Sequence, residues 1–327
     1  MSVEHTSDPP PRRSEAEFHR YTASLSPVEP SLGGKIVYHL LPPRRRTVIQ
    51  NIQKAFPELT EGKQIIAIAQ AFYGHLFRAI FELARDAFMS PEMRSRLVRV
   101  EGAESLRAAA AGKGALLLTG HFGNWELAVP IALGHFPEWR GRVHMIRDFG
   151  AGTDAHAVQR AGRGGFLVVR QIRSRLVGFL SYHTFRRFNR AGMKVISQGG
   201  AVRGTLSRLR AHEAVVFVLD HHAGGRNRIL VDFMGYPAYT FRSLAVIALA
   251  SEAPVVPIAC YRDADGKHVV RFDPPLQTIR TGNVTNDIRE NTELYNRTLM
   301  RLIREHPDQW FWFHERWRYA PGGAVYY

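Results

Sequence analysis

Short apolar runs bounded by glycine, proline or charged residues recur through this chain and constrain its fold more than any other feature. They are Ala115–Thr119, Arg142–Ile146, Phe166–Val169, Lys194–Ile196, Ala214–Leu219, Val255–Cys260 and His268–Phe272. Runs of this length between turn signals read as short strands, the first of them buried. Helical patterns over 174–191, 201–211, 241–251 and 290–305 separate several of them. Strands alternating with helices predict an α/β fold with a mixed, mostly parallel sheet flanked by helices. Ahead of the strands, residues 45–90 keep helical spacing, with Pro57 and Thr60 marking a break between two helices. Residues 1–33 are rich in Pro, Ser, Glu and Arg without periodicity and read as a flexible leader. With no internal repeat and no dividing linker, 34–327 reads as one domain. Asp148 to Gly165 is rich in Gly, Ala and Arg and reads as a long loop.

The first apolar run leads into Gly120-His121-Phe122-Gly123-Asn124-Trp125-Glu126. The pattern from Trp125 to Ala132 predicts a helix, with Asn124 as its N-cap. His121 then occupies a strand-to-helix turn and Glu126 the first helical turn. On one continuous helix, five steps would turn the two side chains about 140° apart. A turn broken by Gly123 instead lets the carboxylate fold back on the imidazole. A carboxylate that holds one ring nitrogen leaves the other to take a proton from a hydroxyl. Amides at the helix start, around Gly123 and Asn124, suit an oxyanion. The chemistry these parts fit is acyl transfer to an alcohol, at the sheet edge where α/β folds place their sites.

The same segment resembles the His-x4-Asp/Glu signature of the lysophospholipid acyltransferase superfamily, and within it the bacterial late acyltransferases of lipid A biosynthesis. Other segments are similar to that family in the same order. They are Leu40 to Arg46, Asn51 to Leu59, Leu219-Asp220-His221-His222 with Gly224, Gly225 and Arg226, and Val231 to Ala238. Ala253 to Ile258 and His306 to Trp317 complete the series. The resemblance implies that His121 is the general base and Glu126 its orienting partner. It implies a phosphate-binding arginine, for which Arg170 and Arg147 compete. It also implies that Asp220 ends a strand and faces the same cleft as His121, with His221, Arg226 and Arg228 contacting the acceptor. The donor it implies is acyl carrier protein, or acyl-CoA, with no cofactor and no metal. Asp220-His221-His222 by itself also fits half of a metal site, as in Asp-His-His phosphoesterases. Those enzymes place an Asp-x-Asp motif ahead of it, whereas here Asp263-Ala264-Asp265-Gly266 comes after, in an expected hairpin turn.

Composition bears on partners. A formal charge of +15 points to an anionic partner, whether acyl carrier protein, an anionic lipid surface or nucleic acid. No helix-turn-helix, zinc or aromatic RNA-binding signature supports the last. The single cysteine, Cys260, excludes an internal disulfide and a cysteine-based zinc cluster, and its apolar run predicts a core position. Leu244 to Tyr261 is interrupted by Ser251, Glu252 and two prolines, so no clean membrane span is legible, and the first residues do not form a signal peptide. These features predict a cytoplasmic protein attached peripherally to the inner face of the membrane, with an anionic lipid acceptor. Trp310-Phe311-Trp312-Phe313 with Trp317 fits either an interfacial aromatic belt or a core strand or helix.

Overall fold

The computed structural model describes residues 24–40, 42–147, 184–197 and 200–318. The chain forms two compact units. One comprises Met1–His75, Leu219–Ser243 and Thr281–Tyr327, and the other Leu76–Val218 and Leu244–Arg280. Their elements, in chain order, are α1 (Leu32–Leu40), α2 (Arg45–Ala55), α3 (Gly62–Arg85) and α4 (Pro91–Ser95). These are followed by β1 (Val98–Glu101), α5 (Ala103–Ala110), β2 (Ala115–Thr119), α6 (Trp125–Leu133) and β3 (Val143–Arg147). Then come β4 (Lys194–Ser197), α7 (Ala201–Arg210), β5 (Ala214–Val218), β6 (Arg228–Phe233), β7 (Tyr236–Phe241) and α8 (Ser243–Ser251). β8 (Val255–Arg262), β9 (His268–Phe272) and α9 (Val284–Glu305) complete the series.

The unit of residues 76–218 and 244–280 is built on a seven-stranded sheet in the order β1-β9-β8-β2-β5-β3-β4. β2, β5, β3, β4 and β8 run parallel, while β9 turns back antiparallel on β8 and carries β1 with it. The central strands are apolar on both faces because helices cover both sides. Leu116, Leu117 and Leu118 of β2 and Val215 and Val216 of β5 are buried. Thr119 pairs with Val218 and Met145 with Val216, so the carboxyl ends of β2, β5 and β3 share one edge of the sheet. Cys260 sits in this core, as its apolar run predicts, and burial pushes its thiol up to about 12. The β8–β9 connection is the expected hairpin turn. The amide of Asp263 donates to the carbonyl of Lys267 at 2.9 Å, and Gly266 takes the left-handed backbone that closes it.

The other unit pairs β6 with β7 in an antiparallel hairpin through Met234 and Gly235, both with positive φ. In α1, Gly34 allows a helix crossing that a side chain would block. A Cβ there would stand 2.5 Å from the carbonyl oxygen of Gln70 in α3. The closing aromatic segment is a buried, irregular core, neither strand nor helix, and Trp310, Trp312 and Trp317 are buried. Each indole N–H is satisfied, by the Asp220 carboxylate at 2.7 Å, the Pro307 carbonyl at 2.7 Å and the Phe233 carbonyl at 3.1 Å. That choice has a polar cause as well as an apolar one. Asn51 of α2 donates to the carbonyls of Trp312 and His314 at 2.8 and 2.9 Å, pinning a stretch whose own backbone makes no ladder.

Candidate active site

β2 delivers the chain to its carboxyl edge, and Thr119 fixes the exit by donating its hydroxyl to the Ile258 carbonyl at 2.9 Å. Gly120 and His121 follow, then Phe122, which is buried and holds the turn down as an apolar plug. Gly123 has a φ of 55°, and a Cβ on it would lie 2.7 Å from the Cys260 carbonyl oxygen. Only glycine allows the turn to press so closely against β8. α6 then starts at Trp125, with Glu126 in its first turn. Strand, turn and helix thus fall where the sequence places them. The His121 ring meets Trp125 edge-on with centroids 5.4 Å apart, and Trp125 stacks on Phe188 at 5.8 Å. His121 and Glu126 are both half-buried, open enough for substrate and sheltered enough for hydrogen bonds to matter.

Asn124 departs from the expected role. It occupies the N-cap position, but its side chain makes no capping bond. Its amide donates away from the helix, to Glu82 at 3.0 Å and to the Ala79 carbonyl at 3.3 Å. The side-chain rotamer is set by the charged acceptor: with Nδ2 turned to Glu82, the Oδ1 makes no bond to the α6 amides. Glu82 also accepts from Arg262 at 2.6 Å, and its carboxylate lies 3.1 Å from His268 Nε2. Burial alone would raise the Glu82 pKa, yet the hydrogen bonds from His268, Arg262 and Asn124 outweigh it and hold the group at about 2. Glu82, Arg262 and His268 carry no sequence signal. Glu82 lies in an unbroken helical pattern, and Arg262 and His268 close β8 and open β9.

Arg147 ends β3 at the same sheet edge as the exit of β2, with β5 between. At the usual strand spacing, two strands put its backbone about 10 Å from that of β2. Arg170, the other arginine the resemblance suggests, lies outside the described residues, as do the run 166–169 expected to form a strand and the stretch 148–165.

Asp220, His221, Arg226 and Arg228 belong to the other unit. Asp220 is fully buried, and its carboxylate accepts the Trp310 indole N–H. His221 packs against Phe241 and His314, with centroids 5.8 and 6.2 Å away. Burial lowers the pKa of His222, and Arg228, Arg316 and Arg318 lower it further. Arg226 is exposed, and Arg228 lies 4.0 Å above the Tyr239 ring. Sequence reasoning also missed Arg316. It is wholly buried, donates to the Tyr239 carbonyl at 2.7 Å and the Thr240 hydroxyl at 2.6 Å, and sits over Phe233. Burial pulls its pKa down to about 10, against the opposing influence of Asp220 and Asp232.

The family model described as bacterial lipid A biosynthesis acyltransferase matches residues 30–136 and 179–319. The chain belongs to this family. It is therefore an acyl-transferring enzyme, and the match includes both the His121–Glu126 turn and the Asp220 segment. The interruption in the match, 137–178, contains the Gly- and Arg-rich stretch 148–165. Among similar proteins, a lipid A biosynthesis lauroyltransferase of Escherichia coli is 24% identical over 299 residues, covering 89% of this chain and 84% of that protein. A lipid A biosynthesis acyltransferase of Haemophilus influenzae is 24% identical over 293 residues, covering 87% of this chain and 79% of that protein. A second Haemophilus influenzae acyltransferase is 24% identical over 294 residues, covering 88% and 82%.

Proposed function

We propose that this acyltransferase moves a fatty acyl chain from an acyl thioester to a hydroxyl of a lipid A precursor or related glycolipid, with His121 as general base. The observation that carries the reading is the His121 turn itself. A half-buried imidazole stands between a buried parallel strand and a helix N-terminus that no side chain caps. The acceptor hydroxyl gives its proton to His121 as its oxygen attacks the thioester carbonyl. Glu126 orients the ring and stabilises the imidazolium that forms. The positive end of α6 favours the negative charge that develops on the carbonyl oxygen. The C–S bond then breaks, the imidazolium returns its proton to the departing thiolate, and an ester is left on the acceptor. The thioester supplies its own leaving group, so every step runs on protein side chains and substrate.

Acyl carrier protein is the proposed donor, with acyl-CoA as the second choice, because an acidic carrier matches the surplus of basic residues. The proposed location is the inner face of the cytoplasmic membrane, by peripheral attachment. Among the described residues no helix is long and apolar enough to cross a bilayer. Arg147, Arg170, Arg226 and Arg228 are proposed to contact acceptor phosphate, which guanidinium groups bind bidentately. The test is purified enzyme with acyl carrier protein and CoA thioesters in parallel, and product masses read by mass spectrometry. His121→Ala is expected to remove nearly all product and Glu126→Ala to slow transfer on the order of 10²–10⁴-fold. Wild-type turnover by the His121→Ala protein would sink the mechanism.

A further inference from the structure

The second half of α3 has two faces with opposite duties. Taking about 100° per residue, Ala79, Glu82 and Asp86 point to one side, and Phe77, Ile80 and Phe81 fall within an arc of about 100° on the other. The inner side is tied down. Glu82 and the Ala79 carbonyl hold Asn124 of the His121 turn, and Asp86 pairs with Arg187 at 3.0 Å and Arg94 at 2.8 Å. The outer side is apolar and wet. Phe77 is 58% exposed, Ile80 52%, Phe81 61% and Phe88, in the short turn after the helix, 88%. Large apolar side chains exposed singly are ordinary, but aromatic residues repeating along one helical stripe are not. Arg78 and Arg85, both exposed, are seven residues apart and flank one edge of that stripe.

We infer that this outer face of α3 is the surface on which the protein docks to an anionic bilayer. An aromatic stripe edged by arginines matches the two layers of such a surface, rings among the acyl chains and guanidinium groups at the headgroup phosphates. A second copy of the chain would place its own Arg78 and Arg85 against these, since the excess of +15 gives like charge on both sides. The inference deepens the proposed function, because the helix that lies on the lipid also grips the turn of His121 from behind. Docking would therefore hold the base in register with the membrane that contains its acceptor.

The experiment is co-sedimentation of the full chain with vesicles of phosphatidylglycerol and phosphatidylethanolamine, and with vesicles of phosphatidylcholine alone. Phe77→Ser/Phe81→Ser is the test variant, and its exposed positions leave the core intact, which circular dichroism checks. Each ring removed is expected to weaken partitioning about tenfold. Arg78→Ser/Arg85→Ser is expected to remove the preference for phosphatidylglycerol, and rising salt to weaken binding without abolishing it. The His121→Ala protein is expected to bind vesicles like wild type, so failure of the catalytic reading and failure of this one are distinguishable. Unchanged vesicle binding by the folded Phe77→Ser/Phe81→Ser variant would overturn the inference. So would light scattering that finds the wild type dimeric and that variant monomeric, which would assign the face to a second copy.

Discussion

The side-chain amide of Asn124 donates to the carboxylate of Glu82 at 3.0 Å, joining the residue that opens α6 to a helix 42 positions earlier in the chain. On the proposed mechanism the bond makes Glu82 a positioning residue for His121, since it anchors the turn between β2 and α6 through Asn124. Glu82→Gln keeps the shape but removes the charge that satisfies Arg262 and His268. It is expected to lower kcat on the order of tenfold with KM nearly unchanged, because a small displacement of the base costs rate and not binding. Glu82→Ala leaves the buried Arg262 guanidinium without its carboxylate and is expected to cost about 3 kcal/mol in urea unfolding. A Glu82→Gln enzyme with an altered KM and unaltered kcat would place Glu82 in acceptor binding instead.

Glu82 and His144, together with His222, make stability fall toward acid. Glu82 is held at about 2 in the folded protein, against about 4.3 in an unfolded chain. Its contribution is complete above the unfolded value and disappears as pH falls toward 2. His144 is buried, its pKa lowered by burial despite the Glu213 carboxylate 2.7 Å from its Nε2. A depressed histidine contributes stability above its unfolded value of about 6.5, and that contribution is lost as pH drops through the folded value. Thermal unfolding measured from pH 8 downward is expected to show Tm falling in two stages, the first below about 6.5. His144→Gln should flatten the first stage and Glu82→Gln the second.

Gly123 is a steric requirement. Gly123→Ala places a Cβ at a φ of 55° and 2.7 Å from the Cys260 carbonyl oxygen, so the turn must move. The expected cost is about 1–3 kcal/mol of stability, with a larger fractional loss in kcat, because His121 rides on the displaced backbone. Equal and small effects on both would mean that the turn relaxes without moving the base.

Asp220 tests a structural reading against a metal one. Asp220→Asn retains an oxygen for the Trp310 indole and is expected to fold. Asp220→Ala strands a buried donor and is expected to lose about 1–3 kcal/mol. Chelation is expected to leave acyl transfer unchanged. A stoichiometric metal in the purified protein, lost together with activity in Asp220→Asn, would move the reading toward phosphoester hydrolysis.

Six of the sheet's seven strands were legible because buried strands need uninterrupted apolar residues between turn formers, whereas β1, where Arg99 and Glu101 alternate with valines, was missed. The runs at Ala115–Thr119 and His268–Phe272 match β2 and β9 residue for residue, and those in β3, β4, β5 and β8 agree to within two residues at either end. The strand-turn-helix placement of His121 and Glu126 was legible for the same local reason, with Gly123 as punctuation. The closing aromatic segment stayed ambiguous between a belt and a core, since aromatic composition is shared by both. Three indole N–H bonds and the clamp from Asn51 decided it.

Local pattern in the chain determined which residues form strands and helices and which turn carries the base, because periodicity and turn preference act over a few neighbours. Tertiary structure alone decided what holds that turn. Glu82, Asn124 and the hairpin partners Arg262 and His268 come from three distant parts of the chain, and no spacing rule links the three. A largely shielded carboxylate such as Glu82 collects whatever donors the fold brings within about 3 Å, since its charge is costly to leave unmatched. Asn124 turns its amide N–H to Glu82, and in that orientation its Oδ1 makes no capping bond.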